Sequence, residues 1–268
     1  IFHIIVTQAQ IYFILMTTRS FVSLYYTVSD FGLFTFAFTI ASVILLVMDS
    51  LTFLVFPKII NRFSKLEKNE NFHLLKESRN IYITMAHLIA LFSMIIYPIL
   101  TLYIGQYKNT NFLFSGIVVI QIIYSFSFGL PMFLMAQQKE KLLAKIAGIH
   151  FLINFLLCFL LIAILNVTLE FAILGTLISY ISYNLFLSKF VLKYLEKPNS
   201  FIDILKFSIS IKHLFPIIIC LVFIKIQLST ALFIIPFFLF LILNKKDISQ
   251  LVKKSFAIIG KNSTFTKI

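Results

Sequence analysis

The sequence predicts an all-α fold, a polytopic membrane bundle of about eight transmembrane helices, and two observations carry that prediction. The 268 residues are 60% hydrophobic and only 12% charged, with a mean hydropathy of +1.00, whereas a soluble domain has about a quarter charged residues. Several apolar stretches also approach or exceed the roughly 17–25 residues that cross about 30 Å of hydrocarbon. These stretches lack the alternation of apolar and polar residues that a membrane barrel requires.

Eight apolar segments can be drawn along the chain. They cover about 3–27, 32–56, 81–104, 111–135, 146–165, 171–190, 208–227 and 229–243. The last two need a separate justification, because residues 213–243 would span about 46 Å as one helix, which is too long for one crossing. We therefore expect two crossings with a break near "QLST", and bends at Pro216 and Pro236.

The distribution of charge predicts how these segments are oriented. The net charge is +13, and the Lys and Arg residues concentrate in three connections, 57–80, 137–145 and 191–212, whereas the other connections are short and nearly uncharged. Because basic loops stay in the cytoplasm, these three connections and a basic tail at 244–268 are expected there, in contact with membrane lipids. Cations in loops of this kind indicate lipid contact rather than a nucleic-acid partner.

Two further expectations concern the ends and the longest connection. Ile60, Phe63 and Leu66 recur at helical spacing within 57–80, which predicts a short amphipathic helix lying in the cytoplasmic interface. The sequence begins without Met and already within apolar residues. We therefore expect residues 1–243 to form one transmembrane bundle of a longer protein whose N-terminal bundle is missing.

Signals for catalysis are weak. The sequence contains no Gly-rich phosphate loop, HExxH or CxxC motif and no paired carboxylates on one predicted helix, so no cofactor or metal is expected. Cys158 and Cys220 lie within apolar segments and are interpreted as small apolar residues. A membrane-embedded glycan polymerase or acyltransferase would need a sizeable outer loop, and the connection near 105–110 is short. We therefore predict that the protein is not an enzyme.

Polar residues within the apolar segments are the candidate functional residues. Helix rise places Arg19 about 14 Å and Asp49 about 27 Å from the turn at 28–31, close to the midplane and near the inner boundary, respectively. A direct ion pair between them is therefore not expected. An arginine facing lipid costs several kcal/mol, so Arg19 is predicted to be a cavity-facing cation. Asp49 and Asn154 are secondary candidates for substrate binding, although Asp49 can reach the headgroups and Asn154 is most simply a hydrogen-bonding link between helices.

Several stretches between about 30 and 190 resemble segments of Wzx-type polysaccharide flippases. "DFGLFTFA" at 30–37 resembles the turn entering their eighth helix, and "FPKIINRFSK" at 56–65 their basic exit from it. Three further stretches follow in the same order, "YPILTLYIGQYKNTNFLFS" at 97–115, "FLMAQQKEKLLAKIAGIHFLINFLLCFLLI" at 133–162 and "ILGTLISYISYNLFL" at 173–187.

This resemblance, to the Wzx and O-antigen branch of the superfamily that includes the MATE exporters, implies the fold and the function. It implies the C-terminal bundle of a MATE-like transporter in a bacterial cytoplasmic membrane, which turns an undecaprenyl-pyrophosphate-linked oligosaccharide to the outer leaflet by alternating access. A guanidinium matches phosphate oxygens in a bidentate manner, which favours Arg19 as the contact. Another exporter of the superfamily, either a drug exporter coupled to H⁺ or Na⁺ or a lipid II flippase, remains the alternative.

Overall fold

The computed structural model describes residues 2–226 and 230–262 and is 88% helical without strands over those residues. The predicted all-α class is therefore confirmed. In a bilayer a helix pairs its own backbone groups, so apolar stretches of this length form helices. The helices are α1 (Phe2–Tyr25), α2 (Val28–Phe63), α3 (Lys68–Tyr103), α4 (Asn111–Ser125), α5 (Leu130–Ala136), α6 (Glu140–Cys158), α7 (Leu174–Tyr194), α8 (Phe201–Ser208), α9 (Ile211–Lys225), α10 (Ile234–Leu243) and α11 (Lys245–Asn262).

Short segments of other helical types complete the chain. A π-helix at Phe159–Ile164 continues α6, and 3₁₀ turns occupy Gly105–Thr110, Leu169–Phe171 and Thr230–Phe233. The predicted break near "QLST" falls mostly on residues 227–229, which lie outside the described residues.

Five described helical stretches are long and apolar enough to cross a membrane. They are Val28–Phe53, Lys68–Tyr103, Gly105–Ala136, Glu140–Ile164 and Leu169–Tyr194. A sixth arises if α8 and α9, which meet at 65°, form one bent span. Helix α1 has 24 residues but carries two glutamines and Arg19, and α10, with 10 residues, is about 15 Å long. The chain is thus a multi-pass membrane protein, and the count of eight crossings stays a prediction.

The prediction of a separate amphipathic helix within 57–80 is wrong. Helix α2 continues to Phe63 and α3 begins at Lys68, so the two long helices form a hairpin with a four-residue turn. Glu67 and Glu70 form a capping box that starts α3, and Asn71 donates to the carbonyl oxygens of Phe63 and Leu66. These local hydrogen bonds allow the helix to begin within a stretch that is too polar to resemble a membrane span.

The three basic connections meet at one end of the bundle, which we call the basic end. Lys68 at the start of α3 forms an ion pair with Glu196 after α7. Gln137 after α5 donates to the Phe63 carbonyl at 3.1 Å and accepts from the Tyr194 hydroxyl at 3.0 Å. These bonds join the α2–α3, α5–α6 and α7–α8 connections.

Helix α4 lies at the centre of the bundle and contacts α2, α3, α7 and α9. Its apolar stretch is 83% buried, against 33% for the one in α2, so α2 forms an outer face. Helix α1 packs mainly on α6, and α6 on α7. Helix α11 lies within residues 244–268, which the sequence predicted to be a basic tail. Its Asp247 forms an ion pair with Lys212 of α9.

Candidate functional site

A polar cavity of about 350 Å³ lies in the half of the bundle nearer the basic end, between α1, α2, α3 and the break that separates α4 from α5. Its wall combines apolar side chains, such as Phe53 and Met132, with a set of polar ones. The polar lining side chains are those of Gln8, Asp49, Thr52, Tyr82, Tyr124, Ser125 and Ser127. Placing polar side chains within membrane helices costs free energy, and such side chains commonly mark functional sites. This cavity is therefore the candidate functional site.

Asp49 is the only acidic residue among the described residues that line this cavity. Its carboxylate is close enough to Tyr82 and Tyr124 to interact electrostatically with their hydroxyl groups. No Lys or Arg of the described residues lies within ion-pair distance of this carboxylate. A carboxylate near the end of a spanning stretch without a cationic partner attracts either a cation or hydroxyl donors.

The break between α4 and α5 forms one wall of the cavity. Gly129 adopts φ = +80°, a left-handed conformation that costs a residue with a Cβ more than it costs glycine. A Cβ at this position would also lie 2.8 Å from Cδ1 of Leu75. The break places Phe128 against Tyr82, with ring centroids 3.8 Å apart, and the Thr52 hydroxyl donates to the Tyr82 hydroxyl at 3.2 Å. The shape of the cavity therefore depends on this glycine.

Gln121 extends the polar region toward the middle of the bundle. It lies in α4, is 3% exposed, and neither its amide nitrogen nor its amide oxygen has a hydrogen-bond partner among the described residues. It borders a small cavity of about 10 Å³, which shares Tyr82, Tyr124 and Ser125 with the larger cavity. A buried amide without partners is unusual, and Gln121 is therefore a further polar group close to the candidate functional site.

The predicted cavity cation, Arg19, does not line this cavity. It is half-buried at the contact of α1 with α2, where its guanidinium carbon lies 5.8 Å from the ring centroid of Phe31 and 5.9 Å from that of Phe38. Phe38 and Asp49 are 11 residues apart, or about 16 Å along α2, so the structure does not bring Arg19 and Asp49 together. Among the described carboxylates, none lies within ion-pair distance of Arg19.

Asn154 belongs to a hydrogen-bonded network that joins three helices rather than to a cavity. Its side chain is fully buried, donates to the Ile14 carbonyl of α1 at 2.9 Å, and accepts from the Thr176 hydroxyl of α7 at 3.1 Å. The Thr18 and Thr176 hydroxyls are 2.5 Å apart. Both ends of the amide are occupied, so Asn154 is not retained as a candidate substrate ligand and the interpretation as a link between helices holds.

Lys225 and Asn184, two further polar residues within apolar segments, contact other helices. Lys225 forms an ion pair with Glu170 at 3.0 Å near the connection before α7, and its ammonium lies 4.6 Å from the Phe112 ring centroid. Asn184 of α7 donates to the Ile123 carbonyl of α4 at 2.5 Å. Both residues therefore join elements of the bundle.

Arg79 is the residue that sequence reasoning missed, because it lies in the stretch interpreted as a basic connection. It is 4% exposed in α3 and donates to backbone carbonyls at two helix breaks, to Phe126 at 2.6 Å and to Phe207 at 3.0 Å. One feature of the sequence could have identified Arg79 as buried. It is four residues from both Leu75 and Ile83, which are buried on the same face of α3.

A buried pair of histidines lies on the same side of α3. The rings of His87 and His213 have centroids 5.1 Å apart. His213 contacts the Thr84 hydroxyl at 3.1 Å and the Ser210 hydroxyl at 2.6 Å, which joins α9 to α3. The sequence did not predict this pairing, since the two residues are 126 positions apart and belong to different segments.

Comparisons of the chain with protein-family models, with curated proteins and with solved structures gave no match.

Proposed function

We propose that this protein is a transporter that moves a lipid-linked oligosaccharide across a bacterial cytoplasmic membrane by alternating access. The proposal is supported by the order of the flippase-like segments between about 30 and 190 and by a multi-pass bundle with a polar cavity. The basic end and helix α11 then face the cytoplasm, as the positive-inside rule requires. A second bundle, implied by the resemblance, would complete the transport path.

The observation that carries the proposal is the polar cavity around Asp49. A carboxylate, two tyrosines and a glutamine offer several donors and acceptors of the kind that bind the hydroxyl groups of a sugar, and apolar side chains such as Phe56 and Met135 line the same space. A binding site of this size combines apolar walls with a few convergent polar groups. The cavity lies toward the basic end, from which a cargo assembled in the cytoplasm would arrive.

Arg19 is proposed to contact the pyrophosphate of the cargo during transport. Its guanidinium packs between aromatic rings at the contact of α1 with α2, and no described carboxylate neutralises it. A half-buried cation without a counter-charge in a membrane segment favours an anionic ligand. The planar guanidinium binds phosphate oxygens through two parallel hydrogen bonds, which an ammonium cannot reproduce.

The test is glycan export in cells that depend on the complete protein. We expect Arg19→Ala to abolish surface glycan while the amount of protein in the membrane stays normal, and Arg19→Lys to restore only part of the export. Arg62→Ala, at an exposed position near the end of α2, is the matched control and should export normally. Normal export by Arg19→Ala would exclude the proposed role of Arg19.

A cation-coupled exporter of amphipathic compounds is the second candidate, and the environment of Asp49 favours it. An unpaired carboxylate beside Phe53, Phe56 and Met132 could bind H⁺, Na⁺ or an organic cation. The variant Asp49→Asn distinguishes the two candidates. Loss of resistance to cationic compounds with normal surface glycan would support the exporter, whereas loss of surface glycan alone would support the flippase.

A further inference from the structure

A second large cavity, of about 500 Å³, lies between α3 and the break that separates α8 from α9. Its polar wall is cationic, and none of the described side chains that line it is acidic. The lining cations are Lys76, Arg79, Lys206 and Lys212. The polar cavity around Asp49 is lined by different residues, so this cationic cavity is separate from the candidate functional site.

The positive charge of the cationic cavity is only partly compensated. Arg79 bonds to neutral carbonyl groups, Phe126 from one break and Phe207 and Ser208 from the other, and to no described carboxylate. Lys212 pairs with Asp247. Lys76 and Lys206 form no ion pair with the described residues. Three of the four cations therefore lack an anionic partner within the described part of the chain.

A buried hydroxyl also lines the cavity. Ser208 is fully buried, and its side-chain oxygen has no hydrogen-bond partner among the described residues. Because a buried polar group without a partner is costly, this hydroxyl is a donor that remains available to a ligand. A cluster of cations with one free hydroxyl donor matches the oxygens of a phosphate group.

The position of the cavity along the bundle indicates where such a phosphate would come from. Arg79 is 24 residues from Tyr103 at the other end of α3, or about 36 Å, which exceeds the roughly 30 Å of the hydrocarbon core. The cavity is thus at the level of the headgroups at the basic end.

Helix α8 has the character of an interfacial helix. Phe201 and Ile202 are 71% and 60% exposed, and Leu205 on the rim of the cavity is 40% exposed. Asp203 and Lys206 supply charge on the same short helix. An amphipathic helix with exposed apolar side chains lies in the membrane interface, so the rim of the cationic cavity borders lipid.

We propose that the cationic cavity binds the phosphate headgroup of an anionic phospholipid from the leaflet at the basic end. The phosphate lies between Lys76, Lys206 and the Ser208 hydroxyl, and the buried guanidinium of Arg79 adds positive charge at the inner wall of the cavity. The acyl chains pass over Leu205 and Ile211. This site does not depend on the identity of the transported cargo, and a bound lipid would brace the break between α8 and α9 against α3.

The proposal can be tested with purified protein by native mass spectrometry and by thermal unfolding in mixed micelles. Phosphatidylglycerol should remain bound and raise the Tm, whereas phosphatidylcholine should do neither. In the double variant Lys76→Gln, Lys206→Gln, we expect the affinity for phosphatidylglycerol to fall roughly ten- to thirty-fold, since each basic contact contributes about a factor of five. The control is Lys141→Gln, Lys145→Gln, which removes two exposed lysines of α6 and should bind as the native protein does.

Three results would overturn the proposal. They are equal retention of phosphatidylcholine, an equal loss of affinity in the control variant, and displacement of the lipid by millimolar inorganic phosphate. The last result would indicate a site for a free anion. Arg79 is left unchanged in these experiments because its removal is expected to destabilise the fold.

Discussion

A polar side chain within an apolar helix either bonds to a neighbouring helix or faces a polar space, and Asn154 and Asp49 represent the two cases. Asn154 is buried and bonded at both ends of its amide. Asp49 faces a cavity and has no cationic partner among the described residues. The sequence identified both as polar residues in apolar segments, and helix rise gave an estimate of their depth. It could not distinguish the two cases, because the direction in which a side chain points depends on how the helices pack.

Replacing Asn154 by Ala should destabilise the bundle without affecting transport by the protein that still folds. The change removes the hydrogen bonds that Asn154 makes with the Ile14 carbonyl and with the Thr176 hydroxyl, and hydrogen bonds between membrane helices contribute about 0.6–1.7 kcal/mol each. We expect a loss of about 1–3 kcal/mol, measured by thermal unfolding in detergent. Ser23→Ala, at an exposed position of α1, should change the Tm little. Loss of export with an unchanged Tm would instead indicate that Asn154 contacts the cargo.

At the scale of elements, the two helix breaks are the features that the sequence predicted least well. The segment 111–135 was expected to be one helix, but it ends at Ser125 and resumes at Leu130. The signal was present in Gly129 and Pro131, since glycine permits the left-handed turn and proline is favoured at a helix start. The break between α8 and α9 has no comparable signal, because Ser208 and Ser210 are compatible with a helix. Arg79 stabilises both breaks through contacts distant in sequence.

Replacing Arg79 by Met should be among the most destabilising single changes in the protein. Methionine retains an apolar chain of similar length but leaves the carbonyl groups of Phe126 and Phe207 without donors, at about 1–3 kcal/mol for each buried group. Thermal unfolding should show a large decrease of the Tm for Arg79→Met and a smaller one for Arg79→Lys, which keeps the charge but has a single nitrogen. Arg62→Met, at an exposed site, should have little effect. Equal Tm values for Arg79→Met and Arg62→Met would contradict the proposed role of Arg79.

The two glycines Gly129 and Gly32 should respond to alanine in opposite ways. Gly129→Ala forces a Cβ into φ = +80° and against Leu75, which is expected to cost about 1–3 kcal/mol. Gly32 lies inside α2, and a Cβ there meets nothing within 4 Å. Gly32→Ala should therefore stabilise the protein by about 0.5–1 kcal/mol. Thermal unfolding of both variants checks the prediction, and a Gly129→Ala variant as stable as the native protein would show that the break does not need a glycine.

At the scale of the whole molecule, the sequence predicted the class and most of the segments, because both follow from the lengths of apolar runs. It did not predict that α2 and α3 extend through 57–80 to a four-residue turn, since the polar residues there are satisfied by capping and by ion pairs such as that of Lys68 with Glu196. Hydropathy cannot detect a helix that continues beyond the membrane. The structure does gather the three basic connections at one end, as the pattern of charge suggested.

The orientation of the bundle yields a prediction that cysteine labelling can test. Cys158 and Cys220 are 0% and 1% exposed, so the native protein should react little with a maleimide. Lys108 lies in the 3₁₀ turn at one end of the stretch Gly105–Ala136, and Lys141 lies in the first turn of α6, just beyond the other end. A maleimide that cannot cross membranes should label Lys108→Cys in intact cells. It should label Lys141→Cys only after permeabilisation, because basic connections stay in the cytoplasm.

The labelling pattern would also distinguish two ways in which the predicted orientation could be wrong. Labelling of both cysteines in intact cells would mean that Gly105–Ala136 does not cross the membrane, and the broken α4–α5 segment would then enter and leave on one side. Labelling of Lys141→Cys alone would mean that the bundle is inverted, so that the polar cavity around Asp49, which lies toward the basic end, faces the exterior. A cargo assembled in the cytoplasm could not then reach that cavity directly. Accessibility of Lys108→Cys alone is therefore required both for the topology and for the direction of transport proposed for this protein.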